Sequence, residues 1–375
     1  MMFKHRDTDC LDNRIAYFQG NKYAFIGLMN APTLDGEVWS GVNEAGFCIM
    51  NTASYNLRED SLECQMDREG ELMYHALANC ATIADFEAWL ESYPQPWGVE
   101  ANFGIIDAQG GAAYFEMNNS RYIKYDVNAE QSGYRVVTNF SFAGRYEDYE
   151  GYERYLTAST IMQEAFSCEH EFSATEVLNR FSRQYRHELL GINISPDNVP
   201  DYTVDQDFIP RRITSAMIVF EGVKAGNNPL HTIMWTALGY PACAVAIPLL
   251  VHGAHLPYYM LARDMHTTQP ASLHSEMHLW QSKTNGFFRF TSAMGTAIYP
   301  HAMCYAVQRG LHPCCSAPNR WSKLSILNFC RFTSNGSRVL SPTEHSGIPM
   351  IKCLIAGCKY TTRFSNPIYQ TRNNF

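Results

Sequence analysis

The polarity pattern carries most information at residues 38–56. Two apolar runs there flank Asn43, Glu44 and Gly46, a tight polar turn, so the stretch reads as a hairpin. Its second strand, Phe47 to Met50, has no polar alternation and is expected to be buried on both faces. The run then ends abruptly in Asn51, Thr52, Ser54, Tyr55 and Asn56. A buried strand that delivers amides and hydroxyls at its end can hold oxyanion donors on a rigid support. Taken alone, the same residues read more readily as a solvated turn, since loops of this composition are common.

Elsewhere the periodicity changes several times. Tyr23 to Met29 reads as a strand and 31–37 as a Pro/Gly/Asp turn. Residues 67–93 switch to helical spacing through Leu72, Met73, Ala76, Leu77 and Cys80. Thr82-x-x-Asp85 then resembles a capping box opening a second helix, which Pro94 and Pro96 end. Asn102 to Glu116 reads as a hairpin turning at Ala108-Gln-Gly-Gly111, and Tyr122 to Val127 and Tyr134 to Phe142 as continuing its sheet. Helices are expected over 146–168 and 173–190, the second opened by Ser173-x-x-Glu176. After an acidic loop, Asp201 to Pro210, strands are expected at Thr214 to Phe220, Thr232 to Leu238 and Cys243 to Leu250. Hairpins dominate, which favours an α+β layered domain with antiparallel sheets over a doubly wound parallel one.

Composition adds a division of the chain. With 46% hydrophobic and 18% charged residues in 375 positions, a substantial core is expected. The net charge of −8 is uneven: residues 278–375 hold eleven Lys or Arg and one acidic residue, leaving 18 basic and 36 acidic side chains before them, a net of −18. That tail also holds half of the twelve cysteines. Its basic residues are scattered singly among Phe, Cys, Ser and Pro, which argues against a nucleic-acid arm. The tail lacks helical or strand periodicity. A coherent domain is therefore expected over 1–277, with 278–375 an anomalous, poorly ordered segment read out of frame. Cys314-Cys315 and Cys353-x4-Cys358 fit no zinc spacing.

The chemistry is bounded mostly by what is missing. No run of roughly 18 apolar residues would cross a membrane as a helix, and charges at Lys4 to Asp7 interrupt any leader-like start. No nucleotide cradle, zinc-binding HExxH pattern or nucleophile elbow occurs, and no metal or cofactor is expected. Tyr17, Trp39, Tyr55, Trp97 and Tyr146 could line an apolar acyl pocket, although aromatics more often serve a core.

Four groups of residues then fall into a familiar order: Lys4-His-Arg-Asp-Thr-Asp9; Gly41-Val-Asn-Glu-Ala-Gly46 with Asn51-Thr52; Asn102-Phe-Gly-Ile-Ile-Asp107 with Glu116; and Val137-Thr-Asn139. Together they resemble the N-terminal nucleophile (Ntn) hydrolases of the penicillin acyltransferase and carcinine hydrolase group, and more distantly the choloylglycine hydrolases, over roughly residues 3–277. The resemblance implies an αββα sandwich and a cysteine nucleophile whose own α-amino group is the base, acting on small-molecule substrates with linear amide C–N bonds. It implies that Asp7 orients the amine or thiol, and that Asn51 and Asn139 stabilise the tetrahedral oxyanion. Arg212 would support the site or bind an anionic group. Lys4 and Arg6 would supply positive charge, and with Thr52 and Tyr55 contact substrate. In such enzymes the cysteine lies well before the Lys4–Asp9 motif, and relatives are often exported. The chain as written is therefore expected to lack the nucleophile with its strand and to be inactive; Cys10 falls after the motif, and Cys48 reads as an inert core thiol. A non-catalytic binding module on the same fold, or a dipeptidase of a neighbouring Ntn group, are the alternatives.

Overall fold

The computed structural model describes residues 1–10, 12–57, 64–167, 172–194, 207–211, 213–242 and 244–252, with the short strands at 203–204 and 298–299. The expected tail, 278–375, lies outside the described residues apart from that last pair.

Two antiparallel sheets dominate. The larger is a seven-stranded meander in chain order: β2 (Asn13–Phe18), β3 (Phe25–Asn30), β4 (Ser40–Asn43), β5 (Cys48–Ala53), β6 (Ala101–Ile106), β7 (Ala112–Met117) and β8 (Tyr122–Asp126). The smaller is ordered β1 (Met2–Asp7), β12 (Thr214–Glu221), β13 (Ile233–Leu238), β14 (Ile247–Leu249). Between β5 and β6 run α1 (Glu69–Asn79) and α2 (Ile83–Ser92); after β8 come α3 (Tyr152–Ser167) and α4 (Ala174–Val177). A hairpin of β9 (Tyr185–His187) with β10 (Ile192–Ile194), and a pair of β11 (Thr203–Val204) with β15 (Ile298–Tyr299), complete the set.

The two-residue period of each strand sorts its side chains into layers. On β12, Ala216, Ile218 and Phe220 join Ile26, Leu28, Cys48 and Met50 in a core between the sheets. The alternate residues Met217 and Val219 pack with Ala158 and Ile161 of α3 and with Ala174 and Val177 of α4. On the far side, Phe47, Ile49, Phe103 and Phe115 meet Leu72, Met73, Ala76 and Leu77 of α1 and Phe86 and Leu90 of α2. Helix, sheet, sheet and helix therefore stack in that order, the αββα arrangement that the family resemblance implies. Phe47 to Met50 is buried on both faces, because a helix layer covers one and the second sheet the other.

Local signals set the helix starts. Thr82 accepts from Asp85 N while the Asp85 carboxylate accepts from Thr82 N, and Ser173 and Glu176 form the same reciprocal cap. The turn after β4 needs Gly46 at φ +76°, where a Cβ would also come within 2.9 Å of the Ala108 side chain.

Three stretches depart from the sequence reading. Residues 173–190 are not one helix. Helical turns end at Ser182, and the chain reverses through β9 and β10, closed by Gly191 at φ +62°. The charged segment 3–9, for which the sequence reading gives no strand, largely builds edge strand β1. Tyr134 to Phe142 forms no strand. Side chains hold its end in place of a ladder. Asn102 Nδ2 donates to Phe140 O at 2.9 Å, Ser141 N to Asn56 Oδ1 at 2.8 Å, and Phe142 N and Ala143 N to the Glu116 carboxylate at 2.7 and 2.9 Å. With its backbone groups met by amides and a carboxylate, the segment gains nothing from adding to the sheet.

Candidate functional site

Strand β1 alternates between two environments. Phe3 and His5 face α3 and α4, where Phe3 packs on Phe181 and His5 Nε2 lies 2.9 Å from Ser182 Oγ. Lys4 and Arg6 face the larger sheet. Lys4 Nζ donates to Asn51 Oδ1 at 2.6 Å and to Trp39 O at 2.9 Å. Burial drives the Lys4 ammonium well below its ordinary pKa, and the neighbouring Arg6 charge pushes the same way. Arg6 lies with its guanidinium 4.7 Å from the centre of the Trp39 ring and donates from Nη2 to Asn30 Oδ1; burial brings it down to about 10.

At the end of β1, Asp7 accepts from Thr214 Oγ1 at 2.6 Å and pairs with Arg211 Nη1 at 3.7 Å. Arg211 Nε reaches Asp207 at 3.0 Å, and Asp207 pairs in turn with Arg154 of α3. Arg154 Nη2 donates to Asn139 Oδ1 at 2.6 Å, so Asn139 Nδ2 points back at β5, 3.2 Å from Ala53 O and 3.4 Å from Thr52 Oγ1. Asp7, Arg211, Asp207, Arg154 and Asn139 thus form an alternating chain of donors and acceptors linking the two sheets. Asp207 holds φ +59°, a conformation that a side chain adopts at a cost and that the two arginine bonds maintain.

Most residues singled out by sequence therefore converge. Lys4, Asn51, Thr52, Asp7 and Asn139 occupy one continuous polar region at the ends of β1 and β5. Tyr55 borders it: its N–H donates to Asn139 O at 3.3 Å while its side chain is 51% exposed. Burial and the Glu150 charge nevertheless raise the Tyr55 pKa. Arg212 lies outside the described residues. Arg154 and Asp207 escaped the sequence reading, because an arginine on a predicted helix and an aspartate in an acidic loop look solvated. The Trp39 ring stacks on Arg6 and its carbonyl accepts from Lys4, Trp97 is core, and Tyr146 is 82% exposed.

The Cys48, Cys64 and Cys80 side chains stand apart from this region, whereas Cys10 follows β1 and its charge reaches Arg6. Cys48 and Cys80 are buried, and desolvation pushes both thiols up, Cys80 to about 12. The Cys10 thiol approaches Asp12 O, and Cys64 approaches Met66. No group of three His, Cys, Asp or Glu among the described residues is placed to hold a metal ion, and none of their helices is long and apolar enough to cross a membrane.

No family model matches the chain, and no curated protein matches it. Solved structures similar to it include a Caenorhabditis elegans N-acylethanolamine-hydrolyzing acid amidase ortholog, at 14% identity and a TM-score of 0.40, covering 58% of this chain and 85% of that one. A mutant of conjugated bile acid hydrolase from Clostridium perfringens scores 0.38 at 12% identity, covering 66% and 88%. Penicillin V acylase from Agrobacterium tumefaciens scores 0.37 at 16% identity, covering 63% and 78%. At such scores these likenesses lend no weight to the chemistry, which stands on this chain's own residues.

Proposed function

We propose that the chain carries the carbonyl-binding part of a cysteine-type Ntn site that hydrolyses linear amides or transfers their acyl group. The observation that supports this best is the convergence of residues from distant segments. Lys4 meets Asn51 across 47 positions, and Asn139 meets Ala53 across 86. Two amides and a buried cation at the end of a rigid strand are the groups that would stabilise a tetrahedral oxyanion. Asp7, held by Thr214 and Arg211, would orient the nucleophile's amine.

In this reading the nucleophile is the cysteine that the resemblance places before the Lys4–Asp9 motif; Cys48 and Cys80 are too buried and too weakly acidic to replace it. The test is acylation of the gene's full product by an activated acyl ester. A cysteine upstream of Lys4 gains the acyl mass, and Asn51→Ala and Asn139→Ala slow the gain by about 10²-fold or more. Absence of any acylated cysteine would sink the catalytic claim. A non-catalytic binding module is the second reading, favoured by the burial of Cys48 and Cys80, whose thiols are held in the cores.

A further inference from the structure

A cavity of about 480 Å³ opens where α3 meets the β9–β10 hairpin, two elements joined by Glu188 N donating to Thr157 Oγ1 at 3.1 Å. It belongs to the helix layer outside the smaller sheet, whereas Lys4 and Asn51 face the space between the sheets. The carbonyl-binding reading leaves it unused. Its size is that of a small-molecule site.

The wall carries unbalanced charge. Arg186 donates from Nη1 and Nη2 to the Glu164 carboxylate at 2.8 and 2.9 Å, and from Nε to Glu188 at 3.0 Å. One guanidinium thus faces two carboxylates, which leaves a surplus negative charge. Arg180 lines the same cavity and makes no hydrogen bond or ion pair with a described residue, although its charge reaches Glu164. It is a surplus positive charge. Arg180 stands in a π-helical turn, Leu178–Ser182, a geometry frequent at functional sites. Phe181 and Ser182 of that turn meet Phe3 and His5 of β1, and Arg180 is left to the cavity.

Neutral donors stand with Arg180. Leu190 N donates to His187 Nδ1 at 3.3 Å, so the hydrogen of this ring, 4% exposed, sits on Nε2, where no described residue accepts it. Gln184 Nε2 donates to Asn193 Oδ1 at 2.9 Å, which leaves the Asn193 NH2 as a further donor. A guanidinium, an imidazole N–H and an amide NH2 suit a carboxylate, which arginine takes side-on. Glu164 and Glu188 disfavour a phosphate dianion and suit an ammonium. Ile161 and Ile192 supply apolar wall.

We propose that this cavity binds a free α-amino acid with a small aliphatic side chain, its carboxylate on Arg180, His187 and Asn193 and its ammonium on Glu164 and Glu188. One zwitterion answers both surplus charges, because it carries the two signs a single carbon apart. The binding stands independently of the amide-cleaving reading.

Calorimetric titration with L-valine, 3-methylbutanoate and isobutylamine tests the site, since the last two each lack one charge and keep the side chain. L-Valine binds at least about tenfold more tightly than either. Arg180→Gln weakens L-valine binding about tenfold or more, to the level of isobutylamine. Glu188→Gln lets Arg186 balance Glu164 and brings L-valine to the level of 3-methylbutanoate. Asn51→Ala leaves all three affinities unchanged, which separates the cavity from the carbonyl-binding region. Arg180 and Glu188 lie outside the buried cores, and if one variant fails to fold, the other decides. Equal binding of the three ligands, no binding of L-valine, unchanged affinity in the folded variants, or a loss in Asn51→Ala overturns the proposal.

Discussion

Arg154 donates to Asn139 Oδ1 at 2.6 Å, and this bond decides which end of the Asn139 amide faces β5. An arginine has only donors, so the oxygen must turn toward it and the NH2 toward Thr52 and Ala53. Removing the guanidinium leaves the amide free to rotate and Asp207 with one fewer cation. Arg154→Leu is expected to lose about 1–3 kcal/mol in urea denaturation and to shift the Asn139 side-chain NH2 resonances. Unshifted resonances would show that other contacts orient the amide.

Lys4 gives a pH dependence with a defined sign. Its folded pKa lies below the ordinary 10.5, so between those two values the unfolded chain binds more protons. The Lys4 contribution to stability therefore rises with pH across that window. The stability of the natural protein relative to Lys4→Met should grow as pH is raised toward 10.5, even while other groups titrate in both proteins. A difference independent of pH would mean that Lys4 keeps an ordinary ammonium.

His5 acts on the acid side. Its Nδ1 faces the Ile209 carbonyl at 3.2 Å, which can only accept, so Nδ1 carries the hydrogen and Nε2 accepts from Ser182 Oγ. Burial lowers its pKa from 6.5, so the unfolded state takes up a proton first as pH falls. Stability from this group is present above pH 6.5 and is lost as pH falls below it; His5→Gln should flatten the decline below pH 6.5.

Thiol reactivity should divide by burial. With iodoacetamide near pH 8, Cys10 should alkylate readily, and Cys48 and Cys80 about 10²-fold or more slowly, since their raised pKa values leave little thiolate. Peptide mapping over time reads this directly. Equal rates at Cys10 and Cys48 would show that the inter-sheet core opens on the labelling timescale.

The layers were legible in the sequence because they depend on neighbours a few positions apart. The unbroken apolar run Phe47 to Met50 and the caps at Thr82 and Ser173 carry their own evidence. Tyr134 to Phe142 misled because its β-prone residues are tethered by Asn56, Asn102 and Glu116, which have no local signature there. Of the site, Lys4, Asp7, Asn51 and Asn139 could be named in advance from an ordered resemblance, but their connection could not. Arg154 and Asp207 make it, across 53 positions, and nothing in either local sequence sets them apart from solvated charges.

Lys4, His5, Arg6 and Asp7 all stand on β1, which pairs only with β12 among the described strands. An outermost strand is the first to breathe, because half of its backbone groups gain no neighbour when it closes. The polar region therefore has the endurance of its most weakly held member, not of the cores on either side. Warming would loosen Lys4 from Asn51 and Asp7 from Arg211 while Phe103 and Ile218 stay sequestered from water. Chemistry or recognition at this site would fade over a gentler temperature range than the cooperative melting of the sandwich.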